Sequence, residues 1–495
     1  MNIITILKRK EGRSYGWMLA IALYILFQSC SQKQPEIPNI KVKFNDAIFQ
    51  DDISGKLIFL FDPDTSSSLV YGVNPYTPHP VFTYDLEHWN PEDTLFVDHF
   101  SASCYKEFAE LEGEYAYRVI FDQDTMKRSS FVVTGNGYSA KHKTIFEMDQ
   151  KSQLSVAIDQ IFKGWVFSET PNILEERFRS YALSSFWAYD IYVESAIVLP
   201  EDYGSSQQEY PLIFVFPGFG SHHASITYGT GQIDRYGMNT VGEEKIFVFM
   251  NAEFFQGYHH FADSENNGPW GEAFTAEFIP YLESKYRVLK SPDKRFLIGQ
   301  SSGAWTALWL QLAYPELFGG AFAASPDPVD FRAHGFDIYK ENANYYYPPD
   351  PDSASIAAGR RTKHYAELEH IIGEFGQVRT WEASFSPKNQ DGTVAPLFNR
   401  SCGSIDPDVA DHWRKYDISY LISADPQIYR EKLAGKLHIF VSEDDPYGLE
   451  KSVKLLEQVL LENSISAEIK YFEGLGHNVW TDQLRILIHG IIDNR

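Results

Sequence analysis

The sequence predicts a two-part chain: an α/β unit on a parallel sheet with helices on both faces, preceded by a smaller all-β, sandwich-like unit. Three observations carry that reading. From about Ser168 onward, short continuous apolar runs alternate with stretches of helical period, as in a sheet covered on both sides. Between Lys41 and Phe162 the runs are short, rich in aromatic and β-branched residues, and end on turn residues, with no long helical stretch. The length of 495 residues exceeds one ordinary domain. A composition of 44% hydrophobic and 22% charged residues excludes a largely disordered chain.

Residues 1–29 read as an address. Lys8, Arg9, Lys10 and Arg13 precede an apolar run from Gly16 to Phe27. About a dozen residues are too few to span a ~30 Å hydrocarbon core and suit a signal-peptide core instead. The run ends in Leu26-Phe27-Gln28-Ser29-Cys30, which resembles a bacterial lipoprotein signal, although Phe27 and Gln28 are not the favoured residues there. The expectation is cleavage before Cys30, lipid on that cysteine, and an exported protein anchored in the cell envelope, facing the periplasm or the cell surface. Ordinary secretion with a nearby cut, or an uncleaved anchor, are the alternatives. Removing residues 1–29 takes away four basic residues and one acidic one, which moves the net charge from −24 to −27. A chain this acidic lacks the concentrated Lys and Arg that nucleic acid requires. Residues 30–40, with Pro35 and Pro38, read as a tether. The remaining cysteines, Cys104 and Cys402, lie far apart and are expected as buried thiols; neither a disulfide scaffold nor a paired-CxxC zinc site is available.

Residues 41–165 form the all-β unit. Lys56–Phe61 runs to Asp62-Pro63-Asp64, Tyr115–Phe121 to Asp122-Gln123-Asp124, and Phe131–Thr134 to Gly135-Asn136-Gly137. No chemical constellation stands out here, so this unit is expected to pack on or shield its neighbour, with glycan binding as the alternative. Residues 166–495 form the α/β unit. Strands are expected at Leu212–Phe216, Ile246–Met250, Phe296–Gly299, Ala321–Ala324, Leu437–Val441 and Ala467–Phe472. Helices are expected at Gly271–Tyr286, from Ala304, at Leu449–Leu461 and at Gln483–Ile492. The stretch 327–434 is too long for one crossover and reads as a cap or lid.

Three loops carry chemistry. Gly299-Gln300-Ser301-Ser302-Gly303 lies between a strand and a helix. A tight turn there strains the serine backbone, the flanking glycines let strand and helix approach, and the Ser301 hydroxyl is presented above the sheet. Ser302 is the neighbouring alternative, and its N–H points to where an oxyanion forms. Phe216-Pro217-Gly218-Phe219-Gly220 ends an upstream strand and offers a second backbone donor at Phe219, with Gly218 as the alternative. His222 and His223 follow; without a spaced ligand set nearby they read as pocket-rim or surface residues, and no metal is expected. A nucleophilic serine needs a base and a carboxylate to orient it. His477, in Gly474-Leu475-Gly476-His477 after the last strand, is the base, whereas His489 falls inside the terminal helix and reads as structural. Asp445, in Ser442-Glu443-Asp444-Asp445, is the acid, with Asp444 as runner-up and Asp327 and Asp330 as outsiders.

The α/β half resembles the putative esterase family of α/β-hydrolases, which includes S-formylglutathione hydrolases, feruloyl and acetylxylan esterases and enterochelin esterases. Gly271–Arg287 resembles that family's helix before the nucleophile strand, and Gly299–Pro315 its elbow and following helix. Phe261–Trp270 and Ser325–Phe331 are similar to an exported bacterial subgroup with an extra N-terminal domain. The resemblance runs from Tyr181 onward. It implies an α/β-hydrolase fold with a cap, Ser301, His477 and Asp445 as the triad, and oxyanion donors at Phe219 and Ser302. The departure is Ala304, where the family often has a further glycine. Two-step acyl transfer on a small-molecule or glycan ester follows, with no cofactor. The rival readings are a non-catalytic glycan-binding lipoprotein on a hydrolase scaffold and a serine peptidase. Trp270, Trp305 and Trp309 are expected near the site, Trp309 more in the core.

Overall fold

The computed structural model describes residues 39–70, 72–123, 133–147, 153–348, 355–373 and 376–495. The expected signal, Cys30 and nearly all of the tether lie outside the described residues, as do Phe131 and Val132 of one expected strand.

The α/β half is built on one eight-stranded sheet: β1 (Ile173–Ser180), β2 (Ile191–Val198), β3 (Leu212–Phe216), β4 (Ile246–Met250), β5 (Arg295–Gln300), β6 (Gly320–Ala324), β7 (Leu437–Ser442) and β8 (Glu468–Phe472). Their order across the sheet is β1-β2-β4-β3-β5-β6-β7-β8. From β4 to β8 every pairing is parallel, while β1–β2 and β2–β4 are antiparallel. The sheet is therefore mixed at one edge. β3 and β4 are buried at every residue because both faces are covered. Alternate side chains divide between the faces: Phe214, Phe216 and Val248 on one, Ile213, Val215 and Phe247 on the other. Burying side chains of this size contributes ~1.5–3 kcal/mol each, which is why these strands are legible as unbroken apolar runs. β1, Ile-Leu-Glu-Glu-Arg-Phe-Arg-Ser, is an edge strand with half-exposed charges and escapes that signal.

The helix expected over Gly271–Tyr286 forms as Trp270–Glu272, a π turn at Ala273–Phe278 and Ile279–Lys285. Pro280 explains the interruption, since a proline inside a helix lacks its own N–H and crowds the carbonyl four residues back. The Ile279 N–H bonds to Phe274 O, five residues back, so the wider turn carries the chain past this point.

Helix α1 (Ser302–Ala313) follows the elbow. Between β6 and β7 lie α2 (Ser355–Arg360), α3 (Lys363–Ile372), α4 (Gln377–Phe385) and three further short helices at Pro407–Trp413, Ile418–Ala424 and Pro426–Lys432. Helices α5 (Glu450–Glu462) and α6 (Asp482–Asp493) complete the α/β half.

The N-terminal unit begins with a strand at Asn39–Phe44. Its nine strands hydrogen-bond into one sheet rather than two. The sheet folds over a single core in which Val42, Val97 and Val156 meet Phe59, Phe82 and Val119. On its other face Ile58 and Leu60 pack with Leu368 and Ile372 of α3. Lys56 Nζ donates to Ile371 O at 3.1 Å, and Tyr76 stacks on Tyr365 with centroids 5.8 Å apart. His364 joins the two units: Nδ1 lies 3.3 Å from Cys104 Sγ and Nε2 3.1 Å from Thr77 O. Burial, with Glu367 nearby, pushes the Cys104 thiol up to about 12. Cys402, expected as a buried thiol, is exposed; it sits in a tight surface turn where its N–H is held by Asn399.

Candidate active site

Five loops converge because they leave the carboxyl ends of parallel strands, where open α/β sheets present their ligand sites. Ser301 follows β5 with φ 56° and ψ −122°, strained values for a residue with a Cβ. Its N–H bonds to Ala324 O of β6 at 3.0 Å, and its carbonyl caps α1 by accepting from Ala304 and Trp305. The two motif glycines are required by closeness. A Cβ on Gly299 would lie 2.0 Å from Gly303 O, and one on Gly303 would lie 1.9 Å from Phe216 O. Strand, elbow and the 217–220 loop are thus in backbone contact, and a Cβ on Gly218 would touch Ser301 Cβ at 3.3 Å. Ser302 opens α1, so its N–H is one of the unsatisfied donors of a helix start.

His477 and Asp445 meet as a pair, with Nδ1 2.8 Å from Asp445 Oδ2. The Asp445 side chain is fully buried, and its other oxygen accepts the Tyr447 N–H at 2.8 Å. Asp444 faces elsewhere. Its Oδ1 accepts from Ser442 Oγ and, at 3.1 Å, from the Gly474 N–H, so it fixes the loop that carries His477 rather than the ring. Gly474 and Gly476, at φ +72° and +57°, let that loop turn back toward the elbow. Gln300 ties the two loops by donating to His477 O at 3.0 Å and accepting from Trp480.

Ser301 Oγ donates to Asp327 Oδ1 at 3.3 Å, and among the described residues no hydrogen bond joins it to His477. Asp327, set aside in the sequence as a triad acid, is a buried acceptor beneath the elbow. Its Oδ2 accepts from Ser302 Oγ at 2.6 Å, Gln377 Nε2 at 3.0 Å and Trp381 Nε1 at 3.3 Å. Gln377 and Trp381 come from α4, so the 327–434 stretch reaches the nucleophile loop through Asp327. Asp330 instead pairs with Arg332 at 2.6 Å. Spacing alone did not point to Asp327, Gln377, Trp381 or Gln300; the one available signal was Asp327 directly after the strand neighbouring the elbow.

His223 is buried, not at the surface, with Nε2 2.9 Å from Glu175 Oε1. Glu194, His222 and His223 bring ligand-type atoms within 4.8 Å of one another. Each is engaged already: Glu194 holds Arg177 at 2.9 Å and Asn251 at 3.2 Å, and His222 Nδ1 accepts from Ala224 N at 3.1 Å. Burial and the adjacent His223 push His222 down to about 3, so it is neutral. His489 is buried against Tyr236 O at 2.9 Å and pushed down to about 4 by burial, as its structural reading requires. Both Trp270 and Trp305 are buried, but only Trp305 is confined to the core, since one edge of Trp270 borders a groove. Trp270 stacks on His259 at 3.6 Å, and Trp305 is more buried than Trp309, against which it stacks. Trp165, Tyr189, Tyr192, Phe254, Phe255 and Trp270 line that groove, which measures about 560 Å³ and which Gly220 also borders.

Residues 191–431 match the family model described as putative esterase. An esterase of Mycobacterium tuberculosis, in each of two strains, is 27% identical over 149 residues, which are 30% of this chain and 32% of the relative. This chain thus spans about a third of the length of the curated relatives it matches. Among solved structures, a ferulic acid esterase is 18% identical with a TM-score of 0.39, over 65% of this chain and 96% of the other. The fluorophosphonate-binding serine hydrolase F of Staphylococcus aureus is 13% identical with a TM-score of 0.40, over 65% and 99%. An S-formylglutathione hydrolase from Agrobacterium tumefaciens is 13% identical with a TM-score of 0.37, over 66% and 94%. The family match falls on a sheet ordered β1-β2-β4-β3-β5-β6-β7-β8 with a strained serine after β5, so the α/β half of this chain is similar to the putative esterase family.

Proposed function

We propose that this chain is a serine carboxylesterase that cleaves an acyl ester through Ser301, His477 and Asp445. The observation that carries the reading is the buried Asp445 carboxylate 2.8 Å from His477 Nδ1, on loops beside a serine held at positive φ. A carboxylate on Nδ1 fixes the tautomer that leaves Nε2 free as a base and stabilises the imidazolium that forms. Ser301 turns from Asp327 toward Nε2, gives up its proton and attacks the ester carbonyl. The oxyanion is received by the N–H groups of Phe219 and Ser302. The imidazolium then protonates the leaving alcohol, and the ring activates water to clear the acyl-enzyme. No step calls for a metal or organic cofactor.

The aromatic groove bordered by Gly220 favours an ester with an aryl or glycan portion, since flat apolar walls with Arg177, Asp190 and Asn251 among them suit rings bearing hydroxyls. The same groove would serve the rival reading of a glycan-binding protein on a hydrolase scaffold, so activity decides. Export and anchoring through a lipidated Cys30 belong to the proposal too, on the strength of the basic segment and apolar run before it.

The test is a panel of acetyl, feruloyl, thioester and siderophore esters with an amide control. Wild type should cleave at least one ester and not the amide. Asp445→Asn should lower kcat by on the order of 10⁴, as loss of the orienting acid does in serine proteases. Asp444→Asn, which keeps the oxygen that holds Gly474, should retain near-normal turnover. The reverse pattern would reassign the acid, and no cleavage with any ester would remove the enzyme reading.

A further inference from the structure

Arg360, the last residue of α2, holds a buried cation with no anion beside it among the described residues. The residue is 9% exposed, and its Nε has no hydrogen-bond partner among the described residues. Among the described residues no carboxylate pairs with this guanidinium; its neighbours are the rings of Tyr447, with centroid 4.5 Å away, and Trp381, at 5.7 Å. Ring faces return only part of what a guanidinium loses on leaving water. A buried arginine in that state is most stable when a ligand brings the missing charge.

Its position is at the reaction centre. Tyr447 packs on the His477 ring at 4.6 Å, and Trp381 donates to Asp327, which in turn accepts from Ser301. One side chain therefore separates Arg360 from the base and one from the carboxylate beneath the nucleophile. Asp327 does not neutralise it by contact, since its oxygens are taken by neutral donors: two hydroxyls, an amide and an indole. Arg360, Tyr447, Trp381, His334 and Pro328 also line a cavity of about 30 Å³, so space for a small group adjoins the guanidinium. The helix is held in place, because Gly359 lies so close to Tyr76 of the N-terminal unit that a Cβ there would meet the ring at 3.1 Å. With a net charge of −24, the chain does not draw anions by its overall field, so this arginine selects a matching group rather than steering one.

We propose that Arg360 is the specificity-determining residue of a carboxylate subsite, and that the ester cleaved at Ser301 carries a second, free carboxylate on its acyl or alcohol side. The planar guanidinium fork and the two carboxylate oxygens are matched in shape as well as charge. The inference rests on Ser301 being the nucleophile, and its test separates the two ideas.

Two substrate pairs differ only in a free against a methylated carboxylate: 4-acetoxybenzoate and its methyl ester, and mono-4-nitrophenyl adipate and its methyl ester. In at least one pair, wild type should prefer the free acid relative to Arg360→Met by tenfold or more in kcat/KM, chiefly through KM. Arg360→Lys, a point charge without the fork, should recover part of that ratio. Calorimetric titration of Ser301→Ala with 4-hydroxybenzoate and with adipate supplies a readout without turnover; at least one should bind, tenfold or more weaker once Arg360→Met is added. Circular dichroism checks folding, and if Arg360→Met does not fold, Arg360→Gln replaces it in every arm. Unchanged ratios in both pairs, together with titrations insensitive to Arg360, overturn the subsite while leaving Ser301 chemistry intact. Arg360-dependent binding in a protein that cleaves no ester upholds the subsite and removes the esterase reading instead.

Discussion

One methyl group at Gly303 should separate catalysis from folding. A Cβ there would lie 1.9 Å from Phe216 O, 2.5 Å from Phe216 C and 2.6 Å from Pro217 O, all backbone atoms that no side-chain rotation can move aside. Reaching even the 3.0 Å below which real Cβ contacts essentially never occur requires about 1 Å of separation between α1 and the end of β3. That displacement falls on the chain leading into Gly218 and Phe219, and on the helix start whose N–H is the second proposed oxyanion donor. Misplacing reacting groups by ~1 Å costs on the order of 10²-fold in rate. Overpacking of this kind costs ~1–3 kcal/mol of stability, a loss that a chain with this much buried sheet should survive. Gly303→Ala should therefore unfold a few degrees lower by calorimetry while kcat/KM on the best ester falls about a hundredfold. Gly490→Ala is the control: it lies in α6 with no atom within 4 Å of the added Cβ, and should raise stability by ~0.5–1 kcal/mol at unchanged rate. A Gly303→Ala protein with wild-type turnover would refute the backbone-contact account of the elbow.

Three further outcomes are expected. Burial pushes the Glu369 carboxyl in α3 up to about 8, with Arg400 and Arg379 opposing, so the folded state holds its proton more tightly than the unfolded chain. That stability is fully present below the unfolded value near 4.5 and is lost as pH rises through about 8, so calorimetric Tm should drop across that window, and Glu369→Gln should flatten the drop; an unchanged slope would contradict it. The Cys30→Ser protein should move from the detergent phase to the soluble fraction, and recovery of wild type as a soluble protein would argue against the anchor. Trp381→Phe, which removes the indole donor to Asp327, should change ester selectivity with the fold intact; selectivity identical to wild type would detach α4 from the site.

Much of the sheet was legible because burial on both faces leaves unbroken apolar runs: Leu212–Phe216 and Ile246–Met250 form as read. β1 was not, because an edge strand need not hide Glu175, Arg177 and Arg179, and its one buried charge, Glu176, is paired with Lys285. The N-terminal unit was legible as strand-rich, but its single folded sheet was not, since pairing partners such as Asn39–Phe44 and Gln153–Ile161 stand more than a hundred residues apart. At the site, Ser301, His477 and Asp445 could be named from loops that end strands. Asp327 was visible only as one more acid after a strand, and its role depends on Gln377 and Trp381 arriving from a different helix. Arg360 had no local signature at all, for what distinguishes it is that no carboxylate among the described residues pairs with it in three dimensions. The aromatic surface was legible only in part: Trp270 does border the groove, Trp305 is consumed by the core, and Trp165 and Phe254-Phe255 reach the groove from stretches far apart in sequence.

The most direct measurement is labelling with a serine-reactive fluorophosphonate, followed by mapping of the modified residue by mass spectrometry. One adduct per chain is expected, on Ser301, absent from Ser301→Ala and strongly slowed in His477→Ala, which removes the proposed base. An adduct on Ser302 or on any other serine, or no adduct on a folded protein that nonetheless cleaves an ester, would contradict that expectation.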